Sequence, residues 1–396
     1  MNKIVSTTRL GAASTTAAVG CVTTCVAVAS VYLTQPVMAE IGSTYGVTSS
    51  DARLAFSAVS IAYAAAFFFL GPLTDRLDPR RMSLIGLLAA ALALVAASVA
   101  GSFHELLAML VVQGVAAALV PAAMFALLPR IAPKELIGTY FGMVIAATVV
   151  GITLGRAGMS LATAHLGLHG SLRLWAALLA LAAVLNQALP ATVSPAVASS
   201  IGRAYANALR MLSRSMLLRL FGTGFLLFFG YLGVLTFLTL RLHQPPFSFD
   251  SAAIGSVSLL GLSALIGAPL SGRLTARLGS MRVALGGLTI VLLAVACLAL
   301  ATDRLVLGLG VVMLFLGVFS CQPAVFVRIA ERVGPDQRGA ASSLYLLTCL
   351  GAGSASSALL GSAWAAGGWL LVTSLGAASV GAAMALLACD GWIRGR

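Results

Sequence analysis

Long uncharged apolar runs, each closed by a short polar turn, repeat along the whole chain. They cover 10–39, 54–74, 82–103, 106–129, 136–155 (continuing past Arg156 to about 162) and 174–202. The pattern resumes at 220–240, 251–272, 283–302, 305–327 and 339–389. A helix needs about 20 apolar residues to cross a bilayer, so each run predicts a transmembrane helix. The last run holds 51 uncharged residues, enough for two. Its expected break is Ala365-Ala-Gly-Gly368, because paired glycines are poor helix formers. The fold class predicted is all-α integral membrane, with twelve transmembrane helices in two six-helix bundles.

A basic connection over 193–214 separates an N-terminal bundle, 1–192, from a C-terminal one, 215–396. Arginines 203, 210, 214 and 219 are spaced 7, 4 and 5 apart around it. That spacing favours an amphipathic helix lying on the membrane surface.

Composition names the solvent. Of 396 residues, 60% are hydrophobic and 9% charged, with mean hydropathy +1.03. A soluble domain carries about 25% charged residues, so lipid must be the bulk solvent here. The net charge of +13 does not mark a nucleic-acid partner, because the basic residues sit singly between apolar runs rather than on one face. With the N-terminus in the cytoplasm, 19 of the 24 Lys and Arg fall on cytoplasmic segments. Four fall outside (Arg53, Arg173, Arg241, Arg304), and Arg156 stands within a span. The positive-inside rule then puts both termini in the cytoplasm. The first run exceeds the 7–15-residue apolar region of a cleaved signal, so it is expected to remain as the first helix.

Several chemistries are excluded. The six cysteines (Cys21, Cys25, Cys297, Cys321, Cys349, Cys389) lie in apolar runs without metal-like spacing, so no metal is expected. The chain has no HExxH and no phosphate-binding loop. A membrane enzyme needs clustered His, Asp or Glu inside a span. Here all four histidines (His104, His165, His169, His243) fall in expected outer loops.

The two halves share an internal repeat. Gly71-x-Leu73-x-Asp75-Arg76-x-Asp78 aligns with Gly272-x-Leu274-x-Ala276-Arg277-x-Gly279 at an offset of 201. Arg130-Ile-Ala is echoed by Arg328-Ile-Ala, and Gly138 and Gly339 are again 201 apart. Parallel six-helix repeats imply two bundles related by an axis along the membrane normal, with a site between them.

Four stretches carry a family resemblance. They are Tyr32-x-x-Gln35-Pro36 with Tyr45-Gly-Val-Thr48; Gly71-Pro-Leu-Thr-Asp75-Arg76-Leu-Asp-Pro-Arg80-Arg81; Gly142, Gly151 and Gly155; and Ala341-Ser-Ser-Leu-Tyr345 with Gly351. Together they resemble the major facilitator superfamily, most closely its twelve-helix drug and metabolite efflux branch around the bacterial arabinose and chloramphenicol exporters. The resemblance covers essentially the whole chain. It implies alternating access in a bacterial inner membrane, export of a small organic molecule, and protons as the driving ion, with no cofactor. Three departures stand out: Asp78-Pro79 replaces the loop motif's Gly-Arg, Arg156 replaces a proline after the third glycine, and Leu110 stands where the family often has an arginine.

The candidate residues follow. Asp75, with Gly71, Arg76 and Arg80, is either a solvated turn or a conformational latch. A carboxylate there can cap the positive N-terminus of a neighbouring helix, and the resemblance points to the helix that begins near Gly339. The second copy, Gly272 with Arg277, has Ala276 in place of the carboxylate. Arg156 lies near the outer interface, about 30 Å along its helix. It either pairs with Glu40 or snorkels, or it gates and binds an anion. Gln35, Tyr63, Gln113, Tyr231, Gln322 and Tyr345, with Asn186 and Gln187, are either helix–helix hydrogen bonds or substrate contacts. Gly142, Gly151, Gly155 and Gly351 let helices approach closely, as plain packing or as sliding surfaces.

The expected function is secondary export of a drug or sugar-like metabolite by a monomer in a lipid bilayer. The alternatives are uptake or facilitated exchange of a small organic anion, and a non-transporting membrane receptor or scaffold.

Overall fold

The computed structural model describes residues 2–74, 76–133, 136–192, 201–249, 257 and 259–392. The described residues form helices and their connections. In chain order these are α1 (Asn2–Val31), α2 (Met38–Tyr45), α3 (Ser49–Thr74), α4 (Pro79–Ala97), α5 (Phe103–Ile131), α6 (Ile137–Leu185) and α7 (Ile201–Met211). They continue as α8 (Ser215–Leu242), α9 (Ala264–Leu278), α10 (Ser280–Leu300), α11 (Arg304–Ala330) and α12 (Arg338–Trp392).

Among the described residues, nine helices are long and apolar enough to cross a membrane. α6 and α12 are each two such helices joined at a glycine. Gly167 (φ 66°, ψ 179°) divides α6 and Gly368 (φ 61°, ψ −149°) divides α12. α9, extended by a 3-10 turn at Leu260–Ser263, makes the twelfth. The break expected at 365–368 is therefore at Gly368.

The helix starts follow local chemistry. Asp78 caps α4 by accepting from the Arg80 N–H, with Pro79 pre-set for the first helical position. Ser102 caps α5 by accepting from the Glu105 N–H, and Glu105 Oε2 accepts from the Gly101 N–H at 2.8 Å. Asp303 caps α11 through the N–H groups of Leu305 and Val306, both at 2.9 Å.

Two sequence expectations are corrected. The first span does not run unbroken over 10–39. α1 ends at Val31, residues 32–37 form turns, and α2 follows. Pro36 has no N–H to continue the ladder. The outer connection expected near 163–173 is helical except at Gly167, where the chain turns at a single residue.

The chain forms two compact units. Unit 1 comprises Met1–Ala132, Ala147–Ala204 and Pro335–Ser343, and unit 2 comprises Pro133–Ala146, Tyr205–Gly334 and Leu344–Arg396. α6 thus passes from unit 2 into unit 1 after Ala146, and α12 from unit 1 into unit 2 after Ser343. The interior of unit 1 is built on buried Ala27, Leu33, Ile41, Leu87, Leu94 and Leu106. Unit 2 buries Leu227, Val234, Val291, Val318, Phe326 and Val380. Ile61, Leu92, Val184, Ile266 and Leu370 are 66–70% exposed, the arrangement expected of side chains facing lipid.

Candidate functional site

The polar turn between α3 and α4 is fastened within unit 1. Asp78 also accepts from the Thr192 N–H at 3.2 Å. Asn186, fully buried, donates to the Arg80 carbonyl at 2.9 Å and accepts from the Ser83 hydroxyl. The Arg80 guanidinium donates to Gln187 Oε1 at 2.8 Å. Asn186 and Gln187 therefore anchor this turn to the end of α6. Arg130 donates to the Thr74 carbonyl at 3.0 Å, and Arg76 is half-buried. Asp75 lies outside the described residues. Gly71 packs against the first turns of α12: a Cβ there lies 2.7 Å from Ser343 Cβ.

The second copy of the turn makes the corresponding contact in unit 2. A Cβ on Gly272 collides with Gly138 and the Thr139 nitrogen. Four residues along, a Cβ on Gly142 collides with the Ala268 carbonyl and lies 2.9 Å from the Pro269 nitrogen. Arg277 is exposed. In unit 1, Gly151 and Gly155 lie against the carbonyls of Cys25 and Ala29 of α1. Gly351 differs: it is exposed, and a Cβ there meets nothing within 4 Å. Gly353 instead faces Leu232, whose Cδ1 lies 2.8 Å from an added Cβ.

Unit 1 gathers several candidates around the end of α1. Gln113 is fully buried and donates to Ser30 Oγ at 2.6 Å. The Arg156 guanidinium carbon stands 5.4 Å from the centre of the Tyr32 ring, which packs against Phe56 at 5.6 Å. Such a cation over an aromatic face is stabilised by the ring quadrupole. Tyr63 stacks edge-on with Phe67 at 5.1 Å. Gly114 brings the backbone of α5 against Val59 and Tyr63 of α3. Gln35 lies in the 32–37 break with Oε1 buried and, among the described residues, without a hydrogen-bond partner. Glu40 sits exposed in the first turn of α2.

Unit 2 holds the aromatic candidates. Tyr231 meets Phe315 edge-on at 5.5 Å and Phe319 at 6.0 Å. Tyr345 is fully buried, edge-on to Phe326 at 4.8 Å and against Gly224. Gln322 is buried in α11 beside Pro323. These groups belong to unit 2, whereas the Arg156 cluster belongs to unit 1.

Sequence reasoning missed one constellation. Asp390, 2% exposed, accepts on Oδ2 from Arg328 Nε at 3.0 Å and Nη2 at 2.8 Å. The same oxygen accepts from Arg332 Nη2 at 3.0 Å. Glu331 stands 3.8 Å from Arg328 and accepts from Ser280 at 3.2 Å. Arg328 and Arg332 were legible only as markers of topology, and Asp390 only as the end of the last apolar run. The i, i+4 spacing of the two arginines was the available signal.

A sequence model of the Major Facilitator Superfamily matches residues 20–358. The uncharacterized MFS-type transporter YybF of Bacillus subtilis (strain 168) is 24% identical over 257 residues, 64% of either chain. The inner membrane transport protein YnfM of Escherichia coli (strain K12) is 24% identical over 263 residues, 63% of this chain and 61% of that one. An uncharacterized transporter of Buchnera aphidicola subsp. Schizaphis graminum is 23% identical over 61% of this chain and 59% of its own length. The chain thus spans somewhat under two thirds of each relative. Among solved structures, the human organic anion transporter MFSD10 (TETRAN) superposes with TM-score 0.76 at 18% identity, covering 95% of this chain and 99% of that one. FucP, a transporter of the same superfamily in its outward conformation, gives TM-score 0.77 at 14% identity over 94% and 98%. At these identities the likeness shows the fold.

Proposed function

We propose that this chain, which belongs to the Major Facilitator Superfamily, is a secondary active transporter that exports a small organic molecule. The cargo class is a drug or a sugar-like metabolite. Transport runs by alternating access, in exchange for protons, across a bacterial inner membrane, with both termini cytoplasmic and the monomer as the working unit. The observation that carries this reading is the double attachment of α6. Gly138 and Gly142 seat its first turns on the backbone of α9 within unit 2, whereas Gly151 and Gly155 seat its later turns on α1 within unit 1. Side-chain-free contacts slide with little steric resistance, which suits shear between packed helices. The named relatives support transport, proton exchange follows the family resemblance, and the orientation follows the basic-residue asymmetry.

The test is accumulation of a compound panel in a pump-deficient bacterium expressing the chain, with and without a protonophore. Lower accumulation of at least one compound, abolished by the protonophore, is the expected result. Equal accumulation of every compound with and without expression overturns export. Export that survives the protonophore overturns proton exchange.

A further inference from the structure

The structure breaks its first membrane helix where the sequence is polar, and the break lies within the bilayer. Tyr45, at the end of α2, packs on Phe103 at the start of α5, the first residue of that candidate span. Ser30, just before the break, bonds to Gln113, ten residues further along α5 and so about 15 Å deeper. Non-helical backbone at such depth is tolerated only where protein or a watery cavity lines it. Interrupted helices at that level mark binding sites in transporters built from repeats.

The break is short of hydrogen-bond partners. The Ser30 hydroxyl donates to the Ala27 carbonyl at 2.7 Å, so it must accept from the Gln113 amide nitrogen. This fixes the orientation of the amide and leaves Gln113 Oε1 buried with no partner among the described residues. Thr34 Oγ1, on a residue 3% exposed, and Gln35 Oε1 are likewise buried and unpartnered. A buried acceptor left unpaired is costly, and three of them around one interruption, unmatched among the described residues, suit an incoming donor. On the neighbouring face Gly155 brings α6 against Ala29, and the next residue, Arg156, places its guanidinium over Tyr32. Arginine stays protonated throughout the physiological range and presents a fork matched to carboxylates.

We propose that this break binds the acidic end of the cargo. Arg156 takes the carboxylate, and Gln35 Oε1 accepts from a hydroxyl or amino group on a neighbouring carbon. Tyr32 and Phe56 flank the chain of the ligand. Gln113 is a positioning residue that holds the end of α1 through Ser30. The cargo class is then a small hydroxy or amino acid anion, including sugar acids. The inference rests on the transport reading and narrows its substrate.

The experiment uses the purified full chain in detergent and reads apparent Kd from thermal-shift titrations. The probes are gluconate and mandelate, their neutral amides, and phenylacetate, which lacks the hydroxyl. Mandelate or gluconate is expected to bind about 10-fold or more tightly than its amide, the loss typical of a charged hydrogen bond. Arg156→Gln removes this preference and Arg156→Lys keeps part of it, with size-exclusion profiles showing both variants folded. Gln35→Leu makes mandelate bind no better than phenylacetate. Equal binding of acids and amides, an acid preference that survives Arg156→Gln, or no binding by any acid overturns the inference. Export of a neutral compound unchanged by Arg156→Gln removes this inference while leaving the transport reading in place.

Discussion

Replacing Asp390 with leucine tests whether the buried charge cluster at the ends of α11 and α12 holds unit 2 together. The carboxylate is 2% exposed and Arg328 is 6% exposed. Three guanidinium hydrogen bonds of 2.8–3.0 Å converge on one oxygen. Each charged hydrogen bond contributes about 1.5–3 kcal/mol in isolation. Sharing an acceptor makes them far from additive. The larger effect is electrostatic. Asp390→Leu removes the buried carboxylate shared by both arginines; Arg328 keeps Glu331 at 3.8 Å, with a side chain 41% exposed, and an exposed pair of that kind contributes little. Stranding a buried charge costs about 3–5 kcal/mol, or about 6–20 °C in melting temperature for a unit of this size. Thermal unfolding of the purified protein reads the loss. The double variant Arg328→Leu/Asp390→Leu should recover part of it, because Arg332 can turn its head toward water. A melting temperature for Asp390→Leu within about 2 °C of the parent refutes the electrostatic account.

Gly142→Ala drives a methyl group into the Ala268 carbonyl and should abolish transport while membrane insertion persists. Vesicle transport alongside quantitative blotting checks both. Overpacking of this kind costs about 1–3 kcal/mol. Gly368→Ala forces a side chain into a positive-φ extended conformation (φ 61°, ψ −149°) that is essentially glycine-only and should lower stability by about 1–3 kcal/mol, read by the same thermal assay. Asp75→Asn should cut transport severalfold without loss of insertion if the turn works as a latch. A latch of 1–2 kcal/mol shifts the balance of two states about 5- to 30-fold. Full activity in that variant removes the latch.

The spans were legible because lipid imposes one rule on the whole sequence: about twenty apolar residues between charges. Gly368 was legible because paired glycines are poor helix formers and the 51-residue run had to be divided; the pair alone is not enough, since Gly286-Gly287 stays inside continuous α10. Equivalent positions of the offset-201 repeat make equivalent contacts, Gly272 resting on Gly138 and Gly71 lying beside Ser343, but the repeat alone did not predict which residues meet. Pro36 was not legible. Pro72, Pro269 and Pro323 all stay inside continuous helices, so a proline alone does not announce a break. The outcome depends on whether neighbouring helices satisfy the freed carbonyls, which only tertiary structure decides. The Asp390 cluster was hidden for a similar reason, because its partners are separated by 62 and 58 residues.

Charge bookkeeping joins the cargo to the driving force. Arg156 cannot release its proton in the physiological range, so the charge of its site does not follow pH. If transport exchanges the cargo for a proton, as proposed, that proton brings in a pH dependence. Export of one monovalent anion against entry of one proton moves two charges across the membrane. A potential of 100 mV, negative inside, contributes about 4.6 kcal/mol to that exchange, and one pH unit contributes about 1.4 kcal/mol. Everted vesicles separate the two terms. Valinomycin with potassium collapses the potential and should remove most of the concentrating power, whereas nigericin collapses the pH difference and should remove about a tenfold share. Uptake indifferent to nigericin at fixed potential refutes proton exchange. Uptake that follows the pH difference alone, with the potential clamped at zero and at 100 mV giving equal ratios, refutes an anionic cargo, because an electroneutral cycle cannot export a net negative charge against an entering proton.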